Sequence, residues 1–245
     1  MEKNQIQNGF KYINGNSKAV LVIHGFTGSP TEVHPLGEFL SNQGFDVYGP
    51  CLPGHGTCIQ DMIKTTDEDW IKSIEKTLTE IINKYSQCYV VGFSMGGAIA
   101  LHLTRKYQEN INAVVSISAP IYIPKATYLA TVIKHFKKSI PKPPKPDYGV
   151  PIFSYEETPV ESLPYIVKVI KRVKKDVGKI SIPILVAQGM KDSTVYPKSA
   201  GYIYGNVASK DKLIRYYANA THMLPVEKQY REQLFKEVSN FLNKY

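Results

Sequence analysis

The chain has 245 residues, of which 43% are apolar and 21% charged, a composition that excludes fibrous and disordered classes and fits one sizeable globular core. No apolar run reaches about eighteen residues, so we expect no membrane span, and the polar first 20 residues lead us to expect no secretory signal. The three cysteines, Cys51, Cys58 and Cys88, match neither a disulfide set nor a metal site. They favour a reducing, cytoplasmic setting.

The basic charge is concentrated in one segment. Of a net charge of +9, residues 120–180 carry twelve Lys and Arg against five Asp and Glu. Such a patch can bind nucleic acid or an anionic membrane surface. However, the lysines of 134–138 and 168–175 share helical patterns with apolar residues, which is typical of solvated helix faces. We therefore expect neither a nucleic-acid partner nor stable membrane insertion.

Short apolar runs alternate with longer helical patterns along the chain. Continuous rather than alternating hydrophobicity indicates strands that are buried on both faces of a parallel sheet. The predicted strands are Ala19–Ile23, Phe45–Tyr48, Cys88–Val91, Ile111–Ile117, Pro183–Ala187 and Lys212–Tyr217. The predicted helices are Thr31–Gln43, Asp67–Tyr85, Met95–Tyr107 and Glu227–Asn243. This order predicts an α/β domain with a mostly parallel, doubly wound sheet.

One long segment interrupts the alternation, between the strand that ends near Ser118 and the strand that starts at Pro183. It contains a proline-rich stretch at 141–146 and two predicted helices, Thr127–Lys138 and Val160–Lys175. A structureless loop of about sixty residues is rare in a compact domain. We therefore predict a small helical cap at 120–180, inserted into a core domain made of 1–119 and 181–245.

The segment Gly-Phe-Ser-Met-Gly at 92–96 matches the G-x-S-x-G nucleophile turn of α/β-hydrolase sheets. The motif also occurs by chance, and Ser94 could simply cap a helix. The context favours catalysis, because a buried apolar run precedes the motif and a helical pattern follows it. In such a turn the glycines allow close strand–helix approach, and the first helical amides favour developing negative charge. We predict that Ser94 is the nucleophile.

A serine nucleophile needs a base, and the histidines after Ser94 are His102, His135 and His222. His102 lies about two turns along the helix that the serine opens, too far for contact. His135 falls in the lysine-rich part of the predicted cap. His222 follows the last strand in a loop before the C-terminal helix, which is the expected place for the base.

The acid of such a triad should follow the penultimate strand, and Asp192 lies just beyond it. A surface turn is the alternative for this Lys-Asp-Ser-Thr segment. Asp176 falls in the basic cap segment, and Asp211 precedes a strand at the opposite edge of the sheet. We predict that Asp192 orients His222 and stabilises its imidazolium.

Acyl transfer also requires amide donors for the oxyanion. The residue after the nucleophile, Met95, supplies one, and the loop His24-Gly25-Phe26-Thr27-Gly28 after the first long strand should supply the other. We predict the backbone amides of Phe26 and Met95. His24 is an alternative base, but it precedes the nucleophile, and we expect it to brace this loop.

Taken together, these residues resemble small bacterial carboxylesterases and monoacylglycerol-lipase-like enzymes of the α/β-hydrolase superfamily. The likeness is carried by the motifs at 24–28, 54–56 (Gly-His-Gly) and 92–97, with Asp192 and His222. It implies a cofactor-free hydrolase of short- to medium-chain esters, with Ser94, Asp192 and His222 as triad and Phe26 and Met95 as oxyanion donors. The proline-rich stretch departs from the group. His55 is expected to stabilise its loop, and the cap aromatics could line an acyl pocket or form cap core: Tyr122, Tyr128, Phe136, Phe153 and Tyr155.

The predicted function is therefore serine carboxylesterase activity through an acyl-enzyme. A monoacylglycerol lipase or acyltransferase would use the same residues, and a non-catalytic ligand-binding protein is the alternative from another class. A dehalogenase would need an acidic nucleophile in place of Ser94. We expect no metal, because the histidines lack paired helical spacing, and no organic cofactor. The expected partner is a small-molecule ester, and monomer and homodimer both stay open.

Overall fold

The computed structural model describes residues 6–132 and 138–245. In this part of the chain a seven-stranded sheet has the order β1-β3-β2-β4-β5-β8-β9. The strands are β1 (Gly9–Tyr12), β2 (Lys18–Ile23), β3 (Asp46–Pro50), β4 (Gln87–Phe93), β5 (Ala113–Ile117), β8 (Ile184–Gly189) and β9 (Lys212–Tyr217). The edge strand β1 pairs antiparallel to β3, and every other pairing is parallel. This is the mostly parallel sheet that the apolar runs predict.

Helices cover both faces of the sheet. They are α1 (His34–Asn42), α2 (Ile59–Met62), α3 (Asp67–Lys84), α4 (Met95–Tyr107), α5 (Lys125–Val132), α6 (Leu163–Asp176), α7 (Lys198–Asn206) and α8 (Arg231–Leu242). One apolar cluster joins the sheet to α3, α4, α6 and α7, and a second joins it to α1 and α8. Adjacent strand residues such as Val90 and Val91 enter opposite clusters, because side chains alternate along a strand.

The helix starts follow local chemistry. Thr66 caps α3: its hydroxyl accepts from the amide of Asp69, whose carboxylate accepts from the amide of Thr66. Pro30 and Glu32 bound a short 3-10 helix before α1, so the single helix predicted at Thr31–Gln43 is divided in two. No helix of the described residues is long and apolar enough to cross a bilayer.

The chain leaves β5 and returns at β8, and these two strands are neighbours. The segment between them contains α5, a two-stranded sheet of β6 (Ser139–Pro141) and β7 (Glu157–Pro159), and α6. Helix α6 buries Val169, Ile170 and Val173 in the same cluster as sheet residues. It is therefore the crossover helix between two parallel strands, and the predicted boundary of a cap at 120–180 stays a prediction.

Several elements were not predicted. The strand β1 is short and half-exposed, and it has no continuous apolar run of the kind that marks the other strands. The β6–β7 pair and α7 were also missed, since their sequences have few buried side chains in a regular pattern. The helix predicted at Thr127–Lys138 begins at Lys125, and part of it lies outside the described residues.

Candidate active site

Ser94 lies between the end of β4 and the start of α4, in a strained turn. Its φ of 54° falls in the left-handed region, which is rare for a residue with a side chain. Its amide donates to the carbonyl of Ile117 at 2.8 Å, which fixes the turn against β5. A methyl group at Gly96 would overlap the carbonyl oxygen of Ile23, so only glycine allows α4 to approach β2 this closely. The tight packing holds the hydroxyl at the carboxyl edge of the sheet.

His222 reaches Ser94 from the loop after β9. Its Nε2 lies 2.9 Å from Ser94 Oγ, within hydrogen-bond distance of a proton that a base would remove. Its ring packs against Phe93 with centroids 5.2 Å apart. The structure therefore brings His222 and Ser94 together, and the role of His222 as the base stays a prediction.

Asp192 follows β8 and completes the line. Its Oδ2 lies 2.7 Å from His222 Nδ1 and accepts from Gln188 Nε2 at 2.9 Å. Its Oδ1 accepts from the amides of Thr194 and Val195 at 2.9 and 2.8 Å. An ionised carboxylate only accepts hydrogen bonds, so His222 carries its proton on Nδ1 and leaves Nε2 free to accept from Ser94.

The loop after β2 lies beside this line. His24 is fully buried: its Nε2 accepts from the amide of Leu52 at 3.0 Å, and its Nδ1 donates to the carbonyl of Gly25 at 2.9 Å. Burial holds the pKa of His24 well below its usual value, so the ring is neutral. These bonds fit a brace for the loop rather than a second base. The half-buried Phe26 contacts Trp70, with ring centroids 5.8 Å apart.

Met95 is buried at the first position of α4, where its amide has no partner within the helix. Phe26 and Met95 thus stand at the two positions from which oxyanion donors were predicted. Their role stays a prediction, because it depends on the substrate's carbonyl oxygen.

The competing candidates lie elsewhere. His102 Nδ1 is 3.2 Å from Asp176 Oδ2, a pair between α4 and α6 that sequence reasoning missed. Asp211 is exposed and pairs with Lys244 at 3.0 Å. His135 lies outside the described residues. Of the candidate bases and acids that the structure describes, only His222 and Asp192 are aligned with Ser94.

The Gly-His-Gly loop at 54–56 packs against the segment that follows β2. His55 is buried, and its Nδ1 donates to the carbonyl of Pro53 at 3.0 Å. Its ring centroid is 5.6 Å from that of Trp70 and 5.3 Å from that of His24. Burial lowers the pKa of His55 to about 4. These contacts agree with the expected loop-stabilising role.

The aromatic residues predicted for the cap have different surroundings. Phe153 and Tyr155 contact each other and the segment after β2. Tyr122 contacts Tyr202, which is a residue of α7. Tyr128 is exposed. Phe136 lies outside the described residues. Phe153 and Tyr155 are therefore bound through their backbone amides to the segment that follows β2.

Part of the basic segment is neutralised within the fold. Asp67 at the start of α3 is buried, and its carboxylate lies 3.0 Å from Arg172 Nη2 and 3.7 Å from Lys168 Nζ on α6. Arg172 also lies 3.5 Å from Glu68. These charges of α6 thus join two helices, which supports the structural interpretation of the basic patch.

Two buried polar side chains near the triad were missed by sequence reasoning. Gln188 sits in the apolar run of β8, and a lone amide in such a run was the available signal. Glu32 lies within a predicted helix, where an acidic residue gives no sign of burial, yet it is 4% exposed. A carboxylate so buried needs hydrogen-bond or charged partners. For Glu32 these are the nearby amide of Gly25 and the charge of the distant Lys142.

Comparisons with known proteins identify the family of this chain. Residues 18–142 match the α/β hydrolase fold family, and residues 150–229 match the family described as serine aminopeptidase, S33. The chain belongs to the α/β hydrolase family.

Particular relatives cover nearly the whole chain. It is 29% identical to a carboxylesterase of Bacillus subtilis (strain 168) over 94% of both chains. It is 31% identical to a thermostable monoacylglycerol lipase of Bacillus sp. (strain H-257), over 88% of this chain and 87% of the relative.

Solved structures show the same fold. One solved structure comes from work on LipS and LipT, two metagenome-derived lipolytic enzymes. It superposes on this chain with a TM-score of 0.92 at 23% identity, covering 98% of both chains. A monoacylglycerol lipase of Paleococcus ferrophilus superposes with a TM-score of 0.80 at 20% identity, covering 96% of this chain and 98% of that one.

Proposed function

We propose that this chain is a serine carboxylic ester hydrolase that cleaves short- to medium-chain esters through an acyl-enzyme. The observation that carries the proposal is the line of hydrogen bonds from Ser94 Oγ to His222 Nε2 at 2.9 Å and from His222 Nδ1 to Asp192 at 2.7 Å. Such a line activates a hydroxyl that is otherwise a weak nucleophile. The relatives named carboxylesterase and monoacylglycerol lipase support an ester as substrate.

In the first half-reaction His222 Nε2 takes the proton of the Ser94 hydroxyl as Oγ bonds to the ester carbonyl carbon. The carbonyl π electrons move to oxygen, and the amides of Phe26 and Met95 stabilise this oxyanion. The bond between the carbonyl carbon and the alcohol oxygen then breaks. His222 returns its proton to the departing alcohol, and an acyl-Ser94 ester remains.

In the second half-reaction water replaces the alcohol. His222 takes one proton of the water while its oxygen bonds to the acyl carbon, and the bond to Ser94 Oγ breaks. His222 then protonates Oγ, and the carboxylic acid leaves. Asp192 keeps the imidazole in one tautomer and stabilises its charged form in both halves. The chemistry uses this chain's own side chains and water.

Monoacylglycerol lipase activity is the second candidate, because the relative at 31% identity carries that name. The same triad would act, and the difference would lie in the acyl and glycerol sites. Acyltransferase activity differs only in the acceptor, since an alcohol or thiol would take the place of water in the second half-reaction.

The central test compares the purified chain with Ser94→Ala and with the control Ser86→Ala, whose serine is exposed and remote from the triad. The substrates are p-nitrophenyl esters from acetate to palmitate and 1-monoacylglycerol. An aminoacyl p-nitroanilide is added to test for the aminopeptidase activity that the name of the second matching family suggests. We expect ester cleavage that depends on Ser94 and not on Ser86, and weak cleavage of the anilide.

A fluorophosphonate probe provides an independent measurement. We expect one probe molecule on Ser94 in the native chain and none after Ser94→Ala or denaturation. A native chain that neither reacts nor cleaves any ester would refute the enzyme and support a ligand-binding protein. Added alcohols or thiols that are acylated in preference to water would assign the acyltransferase.

We further propose a cytoplasmic location, since the cysteines that the structure describes, Cys51, Cys58 and Cys88, are unpaired. Burial raises the pKa of Cys51 and Cys88 to about 12, so both thiols stay protonated at neutral pH. We also propose that the segment between β5 and β8 forms the substrate-selecting cap. Sedimentation of the purified chain distinguishes a monomer from a homodimer.

A further inference from the structure

A buried carboxylate supports the loop that carries the predicted oxyanion donor Phe26. Glu32 Oε2 accepts from the amide of Gly25 at 3.0 Å. A methyl group at Gly28 would overlap the Glu32 carboxyl, so this carboxyl fills the inner side of the loop formed by residues 25–28. The loop therefore closes around one charged side chain that comes from four residues further along the chain.

The same carboxylate lies close to the nucleophile. The position that a Cβ of Gly25 would take is 3.1 Å from Glu32 Oε2 and 3.2 Å from Ser94 Cβ. The Glu32 carboxylate and the Ser94 side chain thus lie within about 6.3 Å of each other, on either side of the space that a side chain at residue 25 would fill. Because Glu32 and Ser94 are both buried, the charge of Glu32 acts on Ser94 far more strongly than a surface charge would.

The outer side of the loop is held by residues 141–156, which we call the strap. Lys142 Nζ donates to Thr27 Oγ1, and the amide of Tyr155 donates to the carbonyl of Thr27 at 2.9 Å. Thr27 has a φ of 60°, a left-handed conformation that is strained for a β-branched residue. The amide of Phe153 also donates to Thr31 Oγ1 at 2.9 Å.

We propose that Glu32 is a positioning residue of the oxyanion loop and that Lys142 of the strap is its compensating cation. The carboxylate sets the loop from inside through Gly25, the ammonium sets it from outside through Thr27, and Phe26 lies between these two points. This inference rests on the proposed ester hydrolase, and it adds a link between the strap and the chemistry.

Both groups titrate near neutral pH. Burial raises the pKa of Glu32 to about 7, although the hydrogen bond from the Gly25 amide and the electrostatic effects of Lys142, His222 and Lys145 act to lower it. Burial lowers the pKa of Lys142 to about 8, with Glu32 raising it and Lys145 lowering it. The pKa of Tyr148 in the strap is raised by burial and, to a smaller extent, by the charges of Glu227 and Glu32. Glu32 therefore gains a proton as the pH falls through about 7, and its hold on Gly25 weakens.

The test uses Glu32→Gln, which keeps an acceptor for Gly25 but has no charge, and Glu32→Leu, which has neither. On p-nitrophenyl butyrate at pH 8 we expect kcat to fall about 10-fold for Gln and about 10²–10³-fold for Leu, the loss typical of one oxyanion donor. KM should change less than threefold, because the affected contact forms in the transition state. Glu38→Gln, an exposed carboxylate on α1, is the matched control.

The pH dependence separates positioning from packing. In the parent chain, part of kcat/KM should be lost as Glu32 gains a proton near pH 7. This loss should be absent in Glu32→Gln. Lys142→Met should move it to higher pH, because the lost cation no longer opposes protonation of Glu32, and the Glu32→Gln/Lys142→Met double variant should show no such movement. Lys171→Met, at an exposed lysine of α6, should match the parent chain.

The outcomes are distinct. If Glu32→Gln and Lys142→Met keep parental kcat and pH profiles while Ser94→Ala is inactive, the inference is overturned and the proposed hydrolase stands. The inference is also overturned if kcat falls only in proportion to a lowered Tm with an unchanged profile. If activity does not depend on Ser94, both proposals fail. Should Glu32→Leu not fold, Glu32→Gln and Lys142→Met decide the question.

Discussion

Replacing Asp192 by asparagine changes one oxygen to an NH₂ group in a side chain that is 3% exposed. The amides of Thr194 and Val195 both donate to Oδ1, so the amide oxygen of the asparagine must occupy that place. Its Nδ2 then faces His222 Nδ1 and donates to it. Gln188 can turn its own amide to accept from Nδ2, because its Oε1 has no partner among the described residues.

The consequence is the wrong tautomer. His222 then carries its proton on Nε2, which donates to Ser94 Oγ and cannot accept from it. The loss expected for this inversion is about 10⁴-fold in kcat, equivalent to about 5.5 kcal/mol of transition-state stabilisation. The turned Gln188 amide takes its Nε2 away from the carbonyls of Gly189 and Val195, so the free energy of unfolding should fall by about 1–3 kcal/mol, far less than the loss of transition-state stabilisation.

The assay measures kcat and KM for p-nitrophenyl butyrate at pH 8, with urea unfolding of the same samples. Asp211→Asn is the matched control, since Asp211 is exposed and its carboxylate pairs with Lys244. It should keep parental activity. A chain with Asp192→Asn that folds and retains more than about a tenth of the parental kcat would refute the assignment of Asp192 as the orienting acid.

Three further changes test the fold around the site. Gly96→Ala should cost about 1–3 kcal/mol of unfolding free energy and most of the activity, because its methyl overlaps the backbone of β2, whereas Gly205→Ala, with open space around it, should not destabilise the chain in urea unfolding. Arg172→Met should cost about 2 kcal/mol, since it leaves the buried Asp67 carboxylate with one distant lysine; an unchanged urea midpoint would contradict this. His55 has a pKa of about 4 when folded and about 6.5 when unfolded, so the unfolded chain binds the extra proton between these values. Stability should therefore decrease as the pH falls from 6.5 to 4, by about 3 kcal/mol from this group, and His55→Phe should show a shallower decrease in urea midpoints across that range.

The sheet was predictable because its buried strands are read from consecutive residues. The alignment of Ser94 with His222 and Asp192 was predictable for a related reason: the serine turn has a local signature, and the positions of the two later residues follow from the order of strands in a parallel sheet. All three residues follow the carboxyl ends of parallel strands, which meet at one edge of the sheet. The order of strands along the chain was therefore enough to predict that these distant residues lie together.

The support around the triad was not predictable in this way. Glu32 and Lys142 are separated by more than a hundred residues and become neighbours of one loop only in the folded chain. The pair His102–Asp176 likewise depends on α6 packing across α4. No local pattern marks such contacts, because an acidic or basic residue on a helix has the same appearance whether it faces solvent or a partner.

The chain leaves β5 and re-enters at the neighbouring strand β8, so the two ends of the intervening segment lie side by side. A segment anchored in this way can lengthen, shorten or be exchanged while the sheet stays closed beneath it. The segment that we propose as the substrate-selecting cap can therefore change while the strands that position Ser94 and Asp192 are kept. The contacts of Lys142 and Tyr155 with Thr27 limit that independence, since a replacement that removes them would also disturb the loop beside the nucleophile.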